Sequence, residues 1–453
     1  MKTIFVAIYD GMISKNILRS EAFDVLKSRD DLRIVLVVDP TKQEVYQREF
    51  NDQSIVIEAS IKFQHRGFER IWARFLTQIP RTNTVKLLIK GSPLSPKKTF
   101  LRKAVLLLTQ LLLDHKLCRL FLRKLDKMIF NGEELAPLFE KYKPDLVFAP
   151  NVFAVPDIWA LKQAQKRSIP NIGMIKSWDN PTSKGLFRVH PERLIVHNHL
   201  IKKEAAEIDD YPEDKIFVSG IPQYDIYFKD PNLYKREDFW RKYGLDPDKK
   251  IILYLEPGSV LFPNGEEMWW IMNEFLEKGE IKFPAEIFVS IHPAYSVKDE
   301  VLQKLKRIKF VRLGEYAGKN YKSWEFSNED MLELMYAVKF SDLVINTGST
   351  MNMEAAMLDK PIINIAFDGF KKRDYGKSVR QCYDFDHLRN IVKTGGVRVA
   401  YNMDELLDEI NKALDNPSEC REGRRKIVEE QCAFTDGKSG KRLGNYILEC
   451  LKI

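Results

Sequence analysis

Short apolar runs of strand length alternate with longer helical patterns along almost the whole of this chain. That alternation restricts the fold to β-α-β units wound around parallel sheets. Thr3–Ile8 reads as a first strand, Ser14–Lys27 as a helix and Leu32–Val38 as a second strand. Further on, strands are expected at Asp145–Ala149, Asn171–Ile175, Arg193–Val196 and Ile216–Val218, with a helix over Ala154–Lys166. The charged stretch Lys229–Lys250 has the Pro and Asp content of a connection plus one short helix. A second series follows it, with strands at 250–255, 286–291, 309–312, 342–346 and 361–366. Helices are expected at 265–277, 329–339, 350–358, 403–415, 421–431 and 439–451.

At 453 residues the chain is too long for one ordinary core. Two Rossmann-like α/β domains fit: 1–228, with a basic helical insertion at about 96–130, and 229–453, whose last helix is free to pack back on the first domain. With 44% hydrophobic and 30% charged residues the chain is a folded, soluble type rather than a disordered or fibrous one. The cysteines, Cys118, Cys382, Cys420, Cys432 and Cys450, are odd in number and scattered, and read as reduced cytoplasmic thiols. MKTIFVAIYDG suits a first strand better than a signal peptide.

Net charge is +8, and much of it is local. Residues 97–127 hold nine Lys or Arg against Asp114 and Asp126, a net of +7. The apolar run Ala104–Leu113 is ten residues, half of what a spanning helix needs. Leu101, Leu108, Leu112, Leu120 and Leu125 between basic clusters fit helices lying on an anionic membrane surface, or a leucine-packed helical pair. A nucleic-acid partner is not expected.

The stretch from Ser341 to Asn364 carries the most chemistry. An apolar strand ends in Asn346-Thr347-Gly348, where glycine permits a tight turn, and Ser349-Thr350 can cap the next helix. Free N–H groups there would favour a diphosphate, and Glu354, one turn in, would accept from ribose hydroxyls. An ordinary capped strand-turn-helix is the alternative. Glu256-Pro257-Gly258-Ser259 and His292 stand at the ends of other strands of the same sheet, where open α/β sheets bind ligands.

In the first half, Trp178-Asp179-Asn180-Pro181-Thr182-Ser183-Lys184 is a polar loop after a strand, functional or a simple Asx-type turn. Asp10 and Gly11 occupy the first strand-to-helix turn, with Ser14 as a candidate cap and an acceptor contact or a structural turn as the two readings. Asp384-Phe385-Asp386 is discounted as a metal motif because it follows the phosphate-type loop and has no companion ligands.

The loop resembles the donor-binding element of GT-B glycosyltransferases, G-S-T-x-x-x-E-A-x-x-x-x-x-P-x-I, with Gly348, Ser349, Thr350, Glu354, Ala355, Pro361 and Ile363 in place. Val218-Ser219-Gly220-Ile221-Pro222-Gln223-Tyr224-Asp225 resembles a boundary element of nucleotide-sugar 2-epimerases and bacterial polyol-phosphate polymerases. The Trp178 loop is similar to the W-H-G-T-P-x-K loop of CDP-glycerol glycerophosphotransferases, with Asp179 where that family has histidine.

The resemblance implies two Rossmann-like domains facing each other across a cleft, and transfer of a sugar from a nucleotide-activated donor to a surface glycan or lipid-linked acceptor. It implies Asp179 as base and Gly258, Ser259, His292, Gly348, Ser349, Thr350, Glu354 and Lys184 around the donor. Asp10, Gly11, Trp178 and Asn180 would meet the acceptor, with no metal and no cofactor besides the donor itself. A cytoplasmic enzyme, peripheral at the inner membrane face, is the expected setting.

Three alternatives stay open. Asp179 in place of histidine puts a polyol-phosphate substrate in question without removing it. A 2-epimerase would carry G-T-R-P-E where this chain has Tyr9-Asp10-Gly11-Met12-Ile13. A non-catalytic nucleotide-sugar-binding protein on the same fold is the third.

Overall fold

Seven parallel strands form the first sheet of the computed structural model, which describes residues 1–50, 52–59, 67–90, 115–258, 262, 265–292, 295, 297–316 and 324–452. They are β1 (Lys2–Ile8), β2 (Leu32–Val38), β3 (Ile55–Ala59), β4 (Leu146–Ala149), β5 (Asn171–Met174), β6 (Arg193–Val196) and β7 (Ile216–Val218). Their order is β3-β2-β1-β4-β5-β6-β7, so the chain reverses direction across the sheet between β1 and β4. Alternate residues of β1 serve opposite cores. Ile4, Val6 and Ile8 pack with Phe23, Leu36 and Phe148, whereas Phe5 packs with Val35, Phe139 and Leu161. A sheet buried on both faces needs helices on both, the condition for a parallel doubly wound arrangement.

The chain divides into two compact units: Met1–Asp225 with the stretch from Ala433 onward, and Ile226–Tyr316 with Trp324–Cys432. The helix Ser439–Cys450 belongs to the first unit, where Leu443 and Ile447 join the core on the β1 face that holds Phe23. Its glycines allow that packing. A Cβ on Gly444 would lie 2.7 Å from Val25 Cβ and 2.9 Å from the Ala22 carbonyl, so helix Glu21–Lys27 approaches only because no side chain intervenes.

Sequence periodicity reads Ser14–Lys27 as one helix, but two form, Gly11–Ile17 and Glu21–Lys27. Ser20 is extended, accepts from the Ala22 amide and donates to the Asn16 carbonyl, so it starts a new helix instead of continuing the old one. Asp10, not Ser14, caps the first of them.

The second sheet has the order β10-β9-β8-β13-β14-β15. Its strands are β8 (Lys250–Leu255), β9 (Ala285–Ser290), β10 (Ile308–Val311), β13 (Leu343–Asn346), β14 (Ile362–Ile365) and β15 (Arg398–Ala400), with a small antiparallel pair of β11 (Glu315–Tyr316) and β12 (Trp324–Glu325). Ile252, Tyr254, Val289, Ile345 and Ile363 pack on Trp269, Met272 and Ile410. Direction reverses between β8 and β13. Both units are thus Rossmann-like, each with its own point of reversal, and ligand crevices of open α/β sheets lie at the carboxyl ends of the strands there.

The basic segment is described only from residue 115, so its part 97–114, with Leu101, Leu108 and Leu112, lies outside the described residues. Helix Lys116–Ile129 shows that its charge is not all outward. Arg123 is buried and donates to the Phe187 and Asp209 carbonyls, while Arg119 makes a two-pronged pair with Asp210 at 2.6 Å. Asp126, on the same helix, is fully buried and meets Lys162, Arg188 and the Trp72 indole. The full local charge is therefore not available to a surface, because two of its cations hold the first unit together.

Candidate functional site

In the second unit, the sequence-expected loop stands at the carboxyl end of β13, beside the reversal. Gly348 has φ +77°, a left-handed conformation in which a side chain is strained, and a Cβ there would lie 2.9 Å from Leu388 Cδ1. The turn is fixed by Asn346. Its buried side chain accepts from the Gly348 amide at 2.7 Å and the Ser349 amide at 3.0 Å, and donates to Asn352 at 2.9 Å. Ser349 Oγ accepts from the Met351 amide at 3.2 Å, while Thr350 makes no side-chain cap bond.

This corrects one expectation. The amides of Gly348, Ser349 and Met351 are not free for an anion, because the loop's own Asn346 and Ser349 occupy them. An anion at this loop must share or displace those acceptors. What the arrangement does offer is a rigid turn with the Ser349 and Thr350 side chains partly exposed.

Glu354 follows on helix Met351–Met357, almost wholly buried, and its Oε2 accepts from the Tyr227 hydroxyl. Sequence reasoning gave Tyr227 no role, since nothing in its spacing tied it to a residue 127 positions away.

Gly258 follows β8, and His292 follows β9. The imidazole lies over Gly258, 3.4 Å from where a Cβ would stand, and stacks with Trp324 at 6.3 Å between ring centroids. It keeps solvent access, yet burial of part of the ring and then the Arg312 guanidinium hold it below its ordinary pKa, so it is mainly neutral. Ser259 lies outside the described residues.

Glu256, between β8 and Gly258, is a further titratable group here. Burial pushes its carboxyl up to about 8, against the hydrogen bond from Trp269 that pulls it down. Trp269 Nε1 donates to it at 3.0 Å, and Gly265 at the start of helix Gly265–Glu277 leaves room for it. At neutral pH it is a buried carboxylic acid.

In the first unit, Asp10 and Gly11 follow β1 at the reversal. Asp10 Oδ1 accepts from the Ile13 amide at 2.9 Å, and Lys176, beyond β5, donates to Oδ2 at 2.6 Å. Burial alone would raise the Asp10 carboxyl, but the charge and hydrogen bond of Lys176 and the Ile13 amide outweigh it and hold it below the ordinary carboxylate range. Asp157, fully buried, accepts from the Asn151 amide at 2.9 Å, and burial first, then the Asp10 charge, push it well above the ordinary range. Lys176, Asp157 and Asn151 were not foreseen as site neighbours, because only the strand order brings residues after β1, β4 and β5 to one place.

The Trp178 loop is organised by Asp179. Its Oδ1 accepts from Ser177 Oγ at 2.6 Å and Asn180 Nδ2 at 3.1 Å, and its Oδ2 accepts from Ser183 Oγ at 3.1 Å with Lys184 at 3.8 Å. Trp178 packs partly buried against the core that includes Phe187, Asn180 is buried at the head of the short helix Asn180–Ser183, and Lys184 is exposed. Lys184, expected near the donor, belongs to the first unit, whereas Gly258, His292 and the Gly348 loop belong to the second.

Among the described residues no group of three or more His, Cys, Asp or Glu side chains is placed to hold a metal ion. Asp384, discounted as a metal ligand, accepts from the Tyr375 hydroxyl. Among the described residues no helix is long and apolar enough to cross a membrane.

Two Rossmann-like domains with a phosphate-type loop in the second define a GT-B-type architecture. Solved structures agree over the full length of the chain. The UDP complex of MnaA from S. aureus superposes with a TM-score of 0.56 at 13% identity, covering 100% of this chain and 97% of that one. The UDP-GlcNAc 2-epimerase of Neisseria meningitidis bound to UDP-GlcNAc gives 0.55 at 13%, with 100% of both covered. A glycosyltransferase of Rickettsia africae gives 0.51 at 11%, with 99% of both covered.

Residues 273–449 match the family described as CDP-glycerol:poly(glycerophosphate) glycerophosphotransferase. The chain is also 23% identical over 187 residues to the teichoic acid poly(ribitol-phosphate) polymerase of Bacillus spizizenii. That alignment takes in 40% of this chain and 28% of the relative, so well under a third of the curated relative's length is spanned.

Proposed function

We propose that the chain is a metal-independent transferase that moves a polyol phosphate or a sugar from a nucleotide-activated donor to a cell-envelope polymer or its lipid-linked precursor. The observation that carries this reading is the β13 loop. Its left-handed Gly348, Asn346-braced turn and buried Glu354 stand at the sheet's reversal, inside the segment that matches the glycerophosphotransferase family. Glu354 takes the ribose hydroxyls, Ser349 and Thr350 meet the phosphates, and Gly258 and His292 line the same side of the donor. Catalysis needs an acceptor hydroxyl to lose its proton and a departing phosphate to be stabilised. Asp179 is the base of this proposal, Lys184 a counter-charge for the leaving group, and Asp10, Gly11, Trp178 and Asn180 contact the acceptor.

The polyol-phosphate reading is supported by the family match. The sugar reading is supported by Asp179, which stands where that family's resembling loop has histidine. The leaving group separates them. Attack on the outer phosphorus of a CDP-polyol releases CMP, whereas attack on the anomeric carbon of a nucleotide sugar releases a nucleoside diphosphate. Incubating the protein with CDP-glycerol, CDP-ribitol and a panel of UDP and GDP sugars, with acceptor, and resolving the released nucleotides decides between the two. A 2-epimerase would isomerise UDP-GlcNAc with no acceptor present. No nucleotide released from any donor and no isomerisation would leave a binding protein and refute the transferase reading.

A cytoplasmic site of action at an anionic membrane surface is part of the proposal. It is supported by Leu117, Phe121 and Met128, exposed by 78%, 63% and 79% on helix Lys116–Ile129, and by Phe68 and Ile71 exposed on helix Gly67–Leu76. Co-sedimentation with anionic vesicles that ignores lipid charge and salt, or that fails, would refute it.

A further inference from the structure

Glu354 is nearly buried in protein, and a carboxylate in that setting holds one rotamer only if something fixes it. One partner that helps to fix it comes from far away in sequence. Tyr227 lies on the short helix Asp225–Phe228, is itself buried, and donates its hydroxyl to Glu354 Oε2. Two residues upstream, Asp225 accepts from the Ser439 amide at 2.9 Å and the Gly440 amide at 2.8 Å, so the helical turn is pinned at its first residue.

We infer that Tyr227 is a positioning residue for ribose recognition: by holding Oε2 of Glu354 it aims the carboxylate at the vicinal hydroxyls of a nucleotide's ribose. The inference rests on the donor reading of Glu354 given above. Its physical basis is the cost of leaving a buried carboxylate short of a donor, which drives the group to a different rotamer or to a shared bond. A carboxylate that swings to find another partner can no longer present a fixed pair of lone pairs to two neighbouring hydroxyls. Tyr227 need not touch the ligand for this, and removing its hydroxyl changes almost no volume.

The consequence is a discrimination effect rather than a general loss of affinity. Hydrogen bonds from ribose hydroxyls to a charged acceptor are worth about 1.5 to 3 kcal/mol, so the wild-type protein should prefer a ribonucleotide over its 2′,3′-dideoxy form by roughly tenfold or more. Calorimetric titration with CDP, UDP and GDP, each beside its 2′,3′-dideoxy counterpart, measures that preference in the wild type, Tyr227→Phe and Glu354→Ala. The expected result is that Glu354→Ala abolishes the preference and Tyr227→Phe reduces it at least several-fold, with dideoxynucleotide affinity unchanged in both.

If Glu354→Ala loses the preference while Tyr227→Phe keeps it whole, the positioning role is overturned and the donor site stands. A Tyr227→Phe protein that loses ribo and dideoxy affinity equally would show a structural contact only, and also overturns it. A preference that survives Glu354→Ala overturns the donor reading of Glu354 and this inference with it.

Discussion

Adding a single methyl group at Gly348 tests whether the β13 loop is as tightly built as its geometry indicates. Two costs apply. The first is backbone: φ at Gly348 is +77°, and an L-residue held there costs about 1 to 2 kcal/mol relative to glycine. The second is steric. The new Cβ would lie 2.9 and 3.1 Å from the two methyls of Leu388, which is 1% exposed and has nowhere open to move, so about 1 to 3 kcal/mol of overpacking is added. Gly395 supplies the control in the same unit, since its φ is +73° and a Cβ there meets nothing within 4 Å.

Gly348→Ala should therefore destabilise the protein by about 2 to 5 kcal/mol and Gly395→Ala by only about 1 to 2 kcal/mol. Urea unfolding measures both. Gly348→Ala should also weaken nucleotide binding about tenfold or more, because Ser349 and Thr350 move with the loop, whereas Gly395→Ala should bind as the wild type does. Equal costs at the two positions, or unchanged nucleotide affinity in Gly348→Ala, would refute the reasoning.

Gly444→Val should destabilise the first unit by about 3 kcal/mol or more, since its side chain would meet backbone and Cβ atoms of Ala22 and Val25 that cannot rotate away, and thermal unfolding reads this directly. Lys176→Met removes the partner that depresses the Asp10 carboxyl. The stabilisation is present above the unfolded carboxylate pKa and is lost as pH falls through the lower folded value. The wild type should thus exceed the variant by about 1 kcal/mol at pH 7, with the gap closing in strong acid, and a gap that persists there would contradict the pairing. Asp179→Asn should remove turnover while leaving nucleotide affinity near the wild-type value, and a variant that turns over normally would dismiss Asp179 as base.

Much of the fold was legible because strands and helices announce themselves by period. The β8–β9–β13–β14 series and the helix after Thr350 lie within a residue or two of where the apolar runs place them. β3 and β15 escaped notice because they are short edge strands, the first partly exposed and the second only three residues long. The break at Ser20 was hidden by a helical period that runs through it.

The turn after β13 was legible because its glycine and the helix behind it are local features, whereas contacts that depend on distant partners were not. Asn346 filling the loop's amides is a side-chain conformation that spacing does not encode. Tyr227 against Glu354, and Lys176 against Asp10 from 166 positions away, exist only after the sheet order is known. The charge count of the basic segment was legible but the direction of each cation was not, since Arg119 and Arg123 turn inward to Asp210 and to backbone carbonyls.

A crystal structure with a nucleoside diphosphate, begun with CDP and UDP, tests the central claim most directly. The account predicts the phosphates within hydrogen-bond reach of Ser349 and Thr350, and the ribose hydroxyls on Glu354 with Tyr227 still donating to its other oxygen. A nucleotide bound elsewhere, with Glu354 and the Gly348 loop untouched, would contradict it.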